Sequence, residues 1–197
     1  MVADVTQAAA ERGQRGLFAG ITVVVSSVAA VTLMIIGQPL WCSCGTWSPW
    51  SWDIWSSHNS QHLIDPYTFT HVLHGILFCA VVYQFPRRVP SWARYATAIV
   101  LEAGWEVLEN LPMIIDRYRT ATISLDYSGD SVANSVADIL ACAVGYAAAN
   151  RLRAKWSVAV FVLTEVLLVL TIRDCLILNV VMLICPVESV RQWQMGK

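Results

Sequence analysis

The sequence contains few charged side chains and no surplus of positive charge. Only 14% of its 197 residues are Asp, Glu, Lys or Arg, and the net charge is -1. We therefore expect no binding of nucleic acid, which requires a basic surface. With 56% hydrophobic residues and a mean hydropathy of +0.54, the chain is too apolar for an ordinary soluble domain and is typical of a membrane protein. Membrane lipids are its expected partners, and the sequence indicates no particular protein partner.

Motifs that identify common enzyme classes are missing as well. The sequence has no Gly-x-Ser-x-Gly, no Walker loop, no dinucleotide fingerprint and no His-Glu-x-x-His, so no short motif points to the corresponding enzymes. It also has no evident internal repeat or low-complexity tract. A function must therefore be argued from the polar residues that interrupt its apolar segments.

The apolar runs predict an all-α fold, a polytopic transmembrane helical bundle that forms a single domain over residues 1–197. A helix needs about 20 apolar residues to cross the hydrocarbon core, and five runs come close to that length. The predicted spans are residues 17–36, 69–85, 94–115, 131–150 and 156–172. A further apolar segment at residues 176–185 is too short to cross, so it is re-entrant, interfacial or packed on the bundle.

The positions of the basic residues predict the orientation of these spans. They cluster before the first span, between the second and third, and after the fourth, at Arg12, Arg15, Arg87, Arg88, Arg151 and Arg153. All three places fall on the inner side if the N-terminus is cytoplasmic. The loop at residues 40–66, which contains five of the nine tryptophans, then faces outward. Tryptophan favours the membrane interface, so this loop either lies on the bilayer or covers a polar site as a lid.

Three glutamates follow one face of the predicted third span. Glu102, Glu106 and Glu109 are separated by about 40° and 60° around a helix of 3.6 residues per turn. Ionisable residues inside a membrane are costly and often functional, and crowded carboxylates need a cation or a proton between them. The stripe therefore predicts either structural ion pairing or the binding of a ligand, proton or substrate.

His71 and His74 in the predicted second span are three residues apart and so share a helical face. Together with Glu106 they would form a mixed histidine and carboxylate set that suits a divalent metal such as zinc. In the alternative interpretation, both histidines are hydrogen-bonded to carboxylates and no metal is bound.

The predicted fourth span supplies a third polar group. Asp130, Asn134 and Asp138 are spaced four residues apart and follow one helical face. The predicted orientation places them in the outer half of the bilayer, at the depth of the histidines and glutamates. Asp130 could also begin the helix as its N-cap. The residues predicted to act as further ligands or as the general base of a catalytic site are Glu102, Glu109 and Asp138.

Two arginines follow the third span on its outer side. Arg117 and Arg119 could bind an anionic headgroup or phosphate above the polar site. They could equally be interfacial anchors that pair with Asp116 and Asp126. The predicted substrate-binding residues are Arg117, Arg119, Asp130 and Asn134.

Cys42 and Cys44 form a Cys-x-Cys motif beside the tryptophan cluster. A zinc site would need a second pair of ligands nearby, and the sequence shows no obvious pair. A disulfide would require an oxidising compartment, and no partner can be chosen. The other four cysteines lie in apolar stretches and are predicted to be small core residues.

Four stretches of the chain resemble a family of bacterial inner-membrane proteins that is catalogued as a domain of unknown function. They are residues 41–75, 102–110, 114–139 and 178–194. The resemblance implies a multi-pass protein of the bacterial inner membrane and brings no activity with it. More distantly, the order of the His-x-x-His, glutamate and Asp/Asn helices is similar to that of VanZ-like membrane proteins. This implies only a helical bundle with a polar core.

Two functions are consistent with these observations, and the sequence does not decide whether the protein is an enzyme. The first is a metal-dependent hydrolase or transferase that acts on a lipid-linked or envelope substrate. The second is a non-enzymatic assembly factor or small transporter, whose polar core is an ion-pair network or a proton path.

Overall fold

The computed structural model describes residues 2–124 and 127–196, and this part of the chain is all-α, as predicted. Its helices are α1 (Val2–Ile36), α2 (Thr68–Val82), α3 (Ser91–Glu109), α4 (Pro112–Ala121), α5 (Val132–Arg151), α6 (Ala154–Ile172), α7 (Leu176–Ile184) and α8 (Glu188–Gln194).

Three helices of the described chain are long and apolar enough to cross a membrane: Glu11–Ile36, Val132–Arg151 and Ala154–Ile172. The sequence predicts five spans, so two predicted spans do not meet both criteria. α2 is apolar but has 15 residues, which gives about 22 Å against a hydrocarbon core of roughly 30 Å. α3 has 19 residues but carries one arginine and three glutamates.

The predicted third span, residues 94–115, is broken between α3 and α4. Pro112 has no N–H and would clash with the preceding turn inside a helix, so it begins α4 instead. Asn110 ends α3, because its Nδ2 donates to the carbonyl oxygen of Glu106 at 2.8 Å. α3 therefore ends at Glu109 rather than at Ile115, and its third glutamate lies in the last turn.

α2 and α5 approach each other very closely. A Cβ atom on Gly75 would lie 2.0 Å from the carbonyl oxygen of Cys142, and one on Gly145 would lie 2.0 Å from that of Val72. Only glycine permits such contact between two helix backbones, a use of small residues that is common between membrane helices. This approach brings the polar faces of the two helices together.

α1 packs against α3 and α5 on one side and is exposed on the other. Phe18 of α1 stacks on Tyr95 of α3, with ring centroids 4.2 Å apart, and Thr22 Oγ1 lies 2.6 Å from the Tyr95 hydroxyl. The outer faces of α1 and α6 are apolar: Val23 is 65% exposed and Leu170 is 74% exposed.

The short apolar segment forms α7, which packs on the bundle and is capped at both ends by side chains. Glu165 of α6 accepts hydrogen bonds from the backbone N–H groups of Leu176 at 2.9 Å and Ile177 at 3.0 Å. Its carboxylate thus satisfies free N–H groups at the helix N-terminus. At the other end, Arg117 Nε donates to the carbonyl oxygen of Leu183 at 2.7 Å. The segment thus packs on the bundle, and its predicted re-entrant or interfacial placement stays a prediction.

The tryptophan-rich loop lies against the start of α5. The N–H of Val132 donates to the carbonyl oxygen of Pro39 at 2.8 Å, and that of Ser131 donates to the carbonyl oxygen of Ser60 at 3.0 Å. Trp47 is 85% exposed. The loop therefore has an exposed aromatic surface on one side and is hydrogen-bonded to the start of α5 on the other. Among the cysteines predicted to be core residues, Cys185 is exposed, because it follows α7 at the surface.

Candidate functional site

A glutamate bridges two histidines in the centre of the bundle. His71 Nδ1 lies 2.6 Å from Glu102 Oε1, and His74 Nδ1 lies 3.0 Å from Glu102 Oε2. Glu102 is fully buried, so both of its oxygens depend on these contacts. The helical spacings place His71 and His74 on one face of α2 and Glu102 on the facing side of α3. The convergence of histidines and glutamates that the sequence predicts is confirmed.

Two further carboxylates beside His71 have buried oxygens that lack hydrogen-bond partners. Glu106 Oε1 lies 3.2 Å from His71 Nδ1, and Asp138 Oδ2 lies 3.9 Å from His71 Nε2. Among the described residues, neither Glu106 oxygen nor Asp138 Oδ1 has a hydrogen-bond partner, although all three atoms are buried. Buried polar atoms without partners are rare and costly. His71, Glu106 and Asp138 can bring one ligand atom each to within 4.8 Å of the others.

A second acidic group lies toward the C-terminal end of α3. Glu106, Glu109 and Asp130 also offer oxygens within 4.8 Å of one another. Asp130 is held from three directions: its N–H donates to Asn110 Oδ1 at 2.7 Å, its Oδ2 accepts from Asn110 Nδ2 at 3.1 Å, and its Oδ1 accepts from the Tyr127 hydroxyl at 2.8 Å. Burial and the charges of Asp130 and Glu109 raise the pKa of Tyr127, so this hydroxyl remains a donor.

Several of these residues, though not Glu106, line a pocket that reaches the two histidines. It is lined by His71, His74, Glu109, Asp130 and Asp138, and its remaining walls include Tyr67, Trp105 and Tyr118. The cavity offers a volume of about 50 Å³ to the centres of water-sized molecules. One water needs about 10–15 Å³ by the same measure. The pocket can therefore hold a hydrated ion or a small polar group against the carboxylates.

Asp65 orders the start of α2 and so helps to position His71. Its Oδ1 accepts from the N–H groups of Tyr67 at 2.7 Å and Thr68 at 3.0 Å, and its Oδ2 accepts from that of Ser60 at 3.0 Å. Burial raises the pKa of Asp65 to about 6. Sequence reasoning missed this residue; an Asp three residues before an apolar helix is nevertheless the usual signal for such a cap.

The remaining predicted residues occupy different places. Asn134 Nδ2 donates to the carbonyl oxygen of His62 at 2.8 Å, so it ties α5 to the tryptophan-rich loop while also lining the pocket. Ser131, and not Asp130, caps α5, because its Oγ accepts from the Asn134 N–H at 3.1 Å. His74 pairs with Glu102 rather than with Glu106, its predicted co-ligand.

The two arginines bind backbone oxygens, and neither arginine is among the residues that line the pocket. Arg117 caps α7 through the carbonyl oxygen of Leu183, and Arg119 Nε donates to the carbonyl oxygen of Tyr127 at 2.5 Å. Arg119 also lies 3.8 Å from Asp116, one of the predicted acidic partners, whereas Asp126 lies outside the described residues. Substrate binding by these arginines stays a prediction.

Residues 33–196 match the family described as "Protein of unknown function (DUF2585)". The chain belongs to this family. A UPF0314 protein of Rhizobium etli (strain CIAT 652) is 48% identical to the DUF2585 chain over 166 residues, which cover 84% of this chain and 85% of the relative. A UPF0314 protein of Sphingopyxis alaskensis is 44% identical over 86% of this chain and 90% of its own length. One from Brucella anthropi is 42% identical over 99% of this chain and 100% of its own length.

The family match confirms the resemblance to a domain of unknown function. It covers both the core cluster and the tryptophan-rich loop of the DUF2585 chain, and it assigns an activity to neither. No solved structure matches the chain. The distant similarity to VanZ-like proteins is not shown by these matches and stays a prediction.

Proposed function

We propose that this DUF2585 protein is a five-span protein of the bacterial inner membrane that binds a divalent cation between α2, α3 and α5. The cation would serve a hydrolase or transferase reaction on a lipid-linked or envelope substrate. The observation that carries the proposal is that both Glu106 oxygens and Asp138 Oδ1, buried beside His71, lack hydrogen-bond partners among the described residues.

The burial of the α3 carboxylates supports a membrane-spanning role for α3. Glu102 and Glu106 are fully buried and Glu109 is 7% exposed, so none of them would meet lipid. Hydropathy alone undervalues this helix, because its charged residues face α2 and α5. Intramembrane charges that face a bundle interior are the tolerated arrangement.

A divalent cation would satisfy the three orphaned oxygens together. Burying an ionised carboxylate without a partner costs on the order of several kcal/mol of desolvation free energy in a protein interior. One imidazole nitrogen and two carboxylate oxygens form a ligand set that suits zinc or a similar ion. This set replaces the predicted His74 with Asp138, which the sequence placed among the catalytic residues.

The pocket residues suggest how the chemistry would be divided. A bound divalent ion would activate water for attack on the substrate. Glu109 lines the pocket beside Asp130 and can accept a proton as general base. Glu102 has both of its oxygens engaged by His71 and His74; it holds both imidazoles in place and is a positioning residue.

One observation favours the alternative of a non-enzymatic protein with an ion-pair core. Glu102 has both oxygens satisfied by the two histidines, as a structural network requires. Such a core would serve an assembly factor or a small transporter. The two proposals differ in whether a cation is needed at Glu106 and Asp138.

We expect Glu106→Gln and Asp138→Asn each to remove one equivalent of divalent metal from the protein purified in mild detergent. Both changes keep the side-chain size and remove the charge that a cation needs, and a three-ligand site does not easily lose one. Metal content is measured by elemental mass spectrometry after zinc is offered and excess ion is removed. Asp116→Asn is the matched control, since this side chain is 75% exposed. Equal metal content in wild type and both core variants would remove the enzyme hypothesis in its present form.

We expect the tryptophan-rich loop to be accessible from outside the cell. Ser57 is exposed in this loop and Gln84 is exposed after α2, on the side predicted to be cytoplasmic. In a variant that lacks Cys44 and Cys185, an impermeant thiol reagent should label Ser57→Cys in cells whose outer membrane alone is opened. Gln84→Cys should react only after the inner membrane is opened. The reverse pattern would show that the N-terminus faces outward.

A further inference from the structure

The tryptophan-rich loop brings together four side chains that commonly bind metals. Cys42 and Cys44 approach His58 and His62, and all four can place a ligand atom within 4.8 Å of the others. The sequence showed the cysteine pair without a second pair, because His58 and His62 follow after an irregular stretch. His-x-x-x-His is a usual spacing in structural zinc sites, whereas Cys-x-Cys is shorter than the usual cysteine spacing.

Two distances between these ligand atoms fit the edges of a tetrahedron around a zinc-sized ion. Zinc binds sulfur at about 2.3 Å and nitrogen at about 2.0–2.1 Å, so tetrahedral angles put sulfur and nitrogen ligands about 3.6 Å apart and two nitrogens about 3.3 Å apart. Cys42 Sγ lies 3.5 Å from His58 Nδ1, and His58 Nδ1 lies 3.3 Å from His62 Nε2.

The surroundings orient these ligands as an outer shell of a metal site does. His62 Nδ1 lies 2.6 Å from the carbonyl oxygen of Ser48, so this nitrogen carries the proton and Nε2 presents a lone pair to the cluster. Both sulfurs accept backbone N–H groups: Cys42 from Cys44 and Cys44 from Thr46, each at 3.4 Å.

An aromatic wall closes one side of the cluster. The Trp41 ring packs edge-on against His62 at 5.6 Å between centroids and lies 5.9 Å from Trp47. His62 is only 2% exposed. A shell of this kind limits access of water to the ligands.

We propose that Cys42, Cys44, His58 and His62 form a structural zinc site in the tryptophan-rich loop, separate from the His71 cluster. Two thiolates and two imidazoles favour tetrahedral zinc over harder cations. Four protein ligands close the coordination sphere, which is the arrangement of structural rather than catalytic zinc.

The site would fasten the loop over the polar pocket. The segment that follows His58 is bonded to the bundle through Ser60 and His62, whose carbonyl oxygens accept from Ser131 N–H and from Asn134 Nδ2. Asn59 and Ser60 line the pocket. A metal that joins His58 and His62 to cysteines at least 14 residues earlier in the chain would therefore order one wall of the pocket. This favours the interpretation of the loop as a lid.

Cobalt binding to the full-length protein tests this assignment. We expect reduced, metal-free protein in mild detergent to bind Co²⁺ with a sulfur-to-metal charge-transfer band and the strong visible absorption of tetrahedral cobalt. Zinc should displace it. Cys42→Ser and the more exposed Cys44→Ser should each abolish or strongly reduce the charge-transfer band, and His58→Ala should weaken the tetrahedral spectrum.

Two control variants separate this site from other thiols and from the core. Cys185→Ser changes an exposed cysteine outside the loop and should leave the band intact, as should Glu106→Gln. In a second measurement, removing metal from the wild type with a chelator should expose the loop at residues 40–66 to limited proteolysis. A wild-type protein with free thiols and no charge-transfer band would overturn the proposal. So would a band that survives Cys42→Ser and Cys44→Ser, or a disulfide between these two cysteines in protein isolated without reductant.

Discussion

Replacing Gly75 with alanine is expected to force α2 and α5 apart and to destabilise the protein strongly. The new Cβ would lie 2.0 Å from the carbonyl oxygen of Cys142 and 2.5 Å from the backbone nitrogen of Tyr146. These are backbone atoms of a regular helix and cannot rotate away. Overpacking a well-packed core commonly costs 1–3 kcal/mol, and we expect about 3 kcal/mol here because a whole helix must move.

Gly145→Ala tests the same contact from the other helix and should have a similar effect, because its Cβ would meet the carbonyl oxygen of Val72. Gly104→Ala is the matched control: Gly104 lies in α3 and is exposed, and a Cβ atom there would meet no other atom within 4 Å. Alanine at this position should leave stability unchanged or raise it by up to about 1 kcal/mol. Thermal unfolding in detergent measures all three. Wild-type melting of both Gly75→Ala and Gly145→Ala would contradict the close approach of α2 and α5.

Glu102→Ala is expected to cause the second large loss of stability. It removes the carboxylate that both His71 Nδ1 and His74 Nδ1 face. The half-buried His74 then loses its carboxylate partner, and the buried His71 keeps only the neighbouring Glu106 and Asp138. Breaking a buried pair by removing one member costs on the order of 3–5 kcal/mol. Glu102→Gln should cost less, because its amide oxygen can still accept from one histidine.

Glu188→Ala is a suitable control for Glu102→Ala. Glu188 lies 3.9 Å from Arg191 and its side chain is 66% exposed, so its removal should change stability by no more than about 1 kcal/mol. The same thermal unfolding measurement applies. If Glu102→Ala melts with the wild type, the two histidines do not depend on this carboxylate.

The two proposed metal sites predict different effects of substitutions on the metal content of the purified protein. The core site predicts metal that depends on Glu106 and Asp138, and the loop site predicts metal that depends on Cys42 and Cys44. A protein with the second and not the first would be a zinc-stabilised membrane protein with an ion-pair core. A protein with both would support an enzyme whose pocket wall is held by structural zinc.

Periodicity explains why much of the core site was predictable. Glu102 and Glu106 had to share a face if residues 94–109 were helical, and the same holds for His71 with His74 and for Asn134 with Asp138. Asp130 is different, because it precedes the N-cap of α5 and lies outside the helix. An apolar environment leaves such faces only one favourable direction, toward each other. The convergence of α2, α3 and α5 therefore followed from the sequence.

The pairing within the convergent group could not be predicted from spacing. His74 pairs with Glu102 and not with Glu106. The close contacts at Gly75 and Gly145 set the rotation of α2 about its axis and its position along α5, and so decide which glutamate His74 faces. Arg117 was predicted to bind substrate, yet the break at Pro112 turns α4 so that Arg117 reaches the end of α7. Helix rotation and the direction of the chain after a break depend on packing partners that cannot be identified from the local sequence.

The sequence by itself determined the all-α class, the polar stripes on the helices and the aromatic character of the loop at residues 40–66, because these depend on residue type and helical period alone. Only the tertiary structure decided that His58 and His62 meet Cys42 and Cys44. It also decided that both Glu106 oxygens and Asp138 Oδ1 are left without hydrogen-bond partners among the described residues. Both arrangements depend on distances of a few ångströms between segments far apart in the chain. Such distances are set by backbone contacts across the whole bundle, and they cannot be predicted from a local sequence pattern.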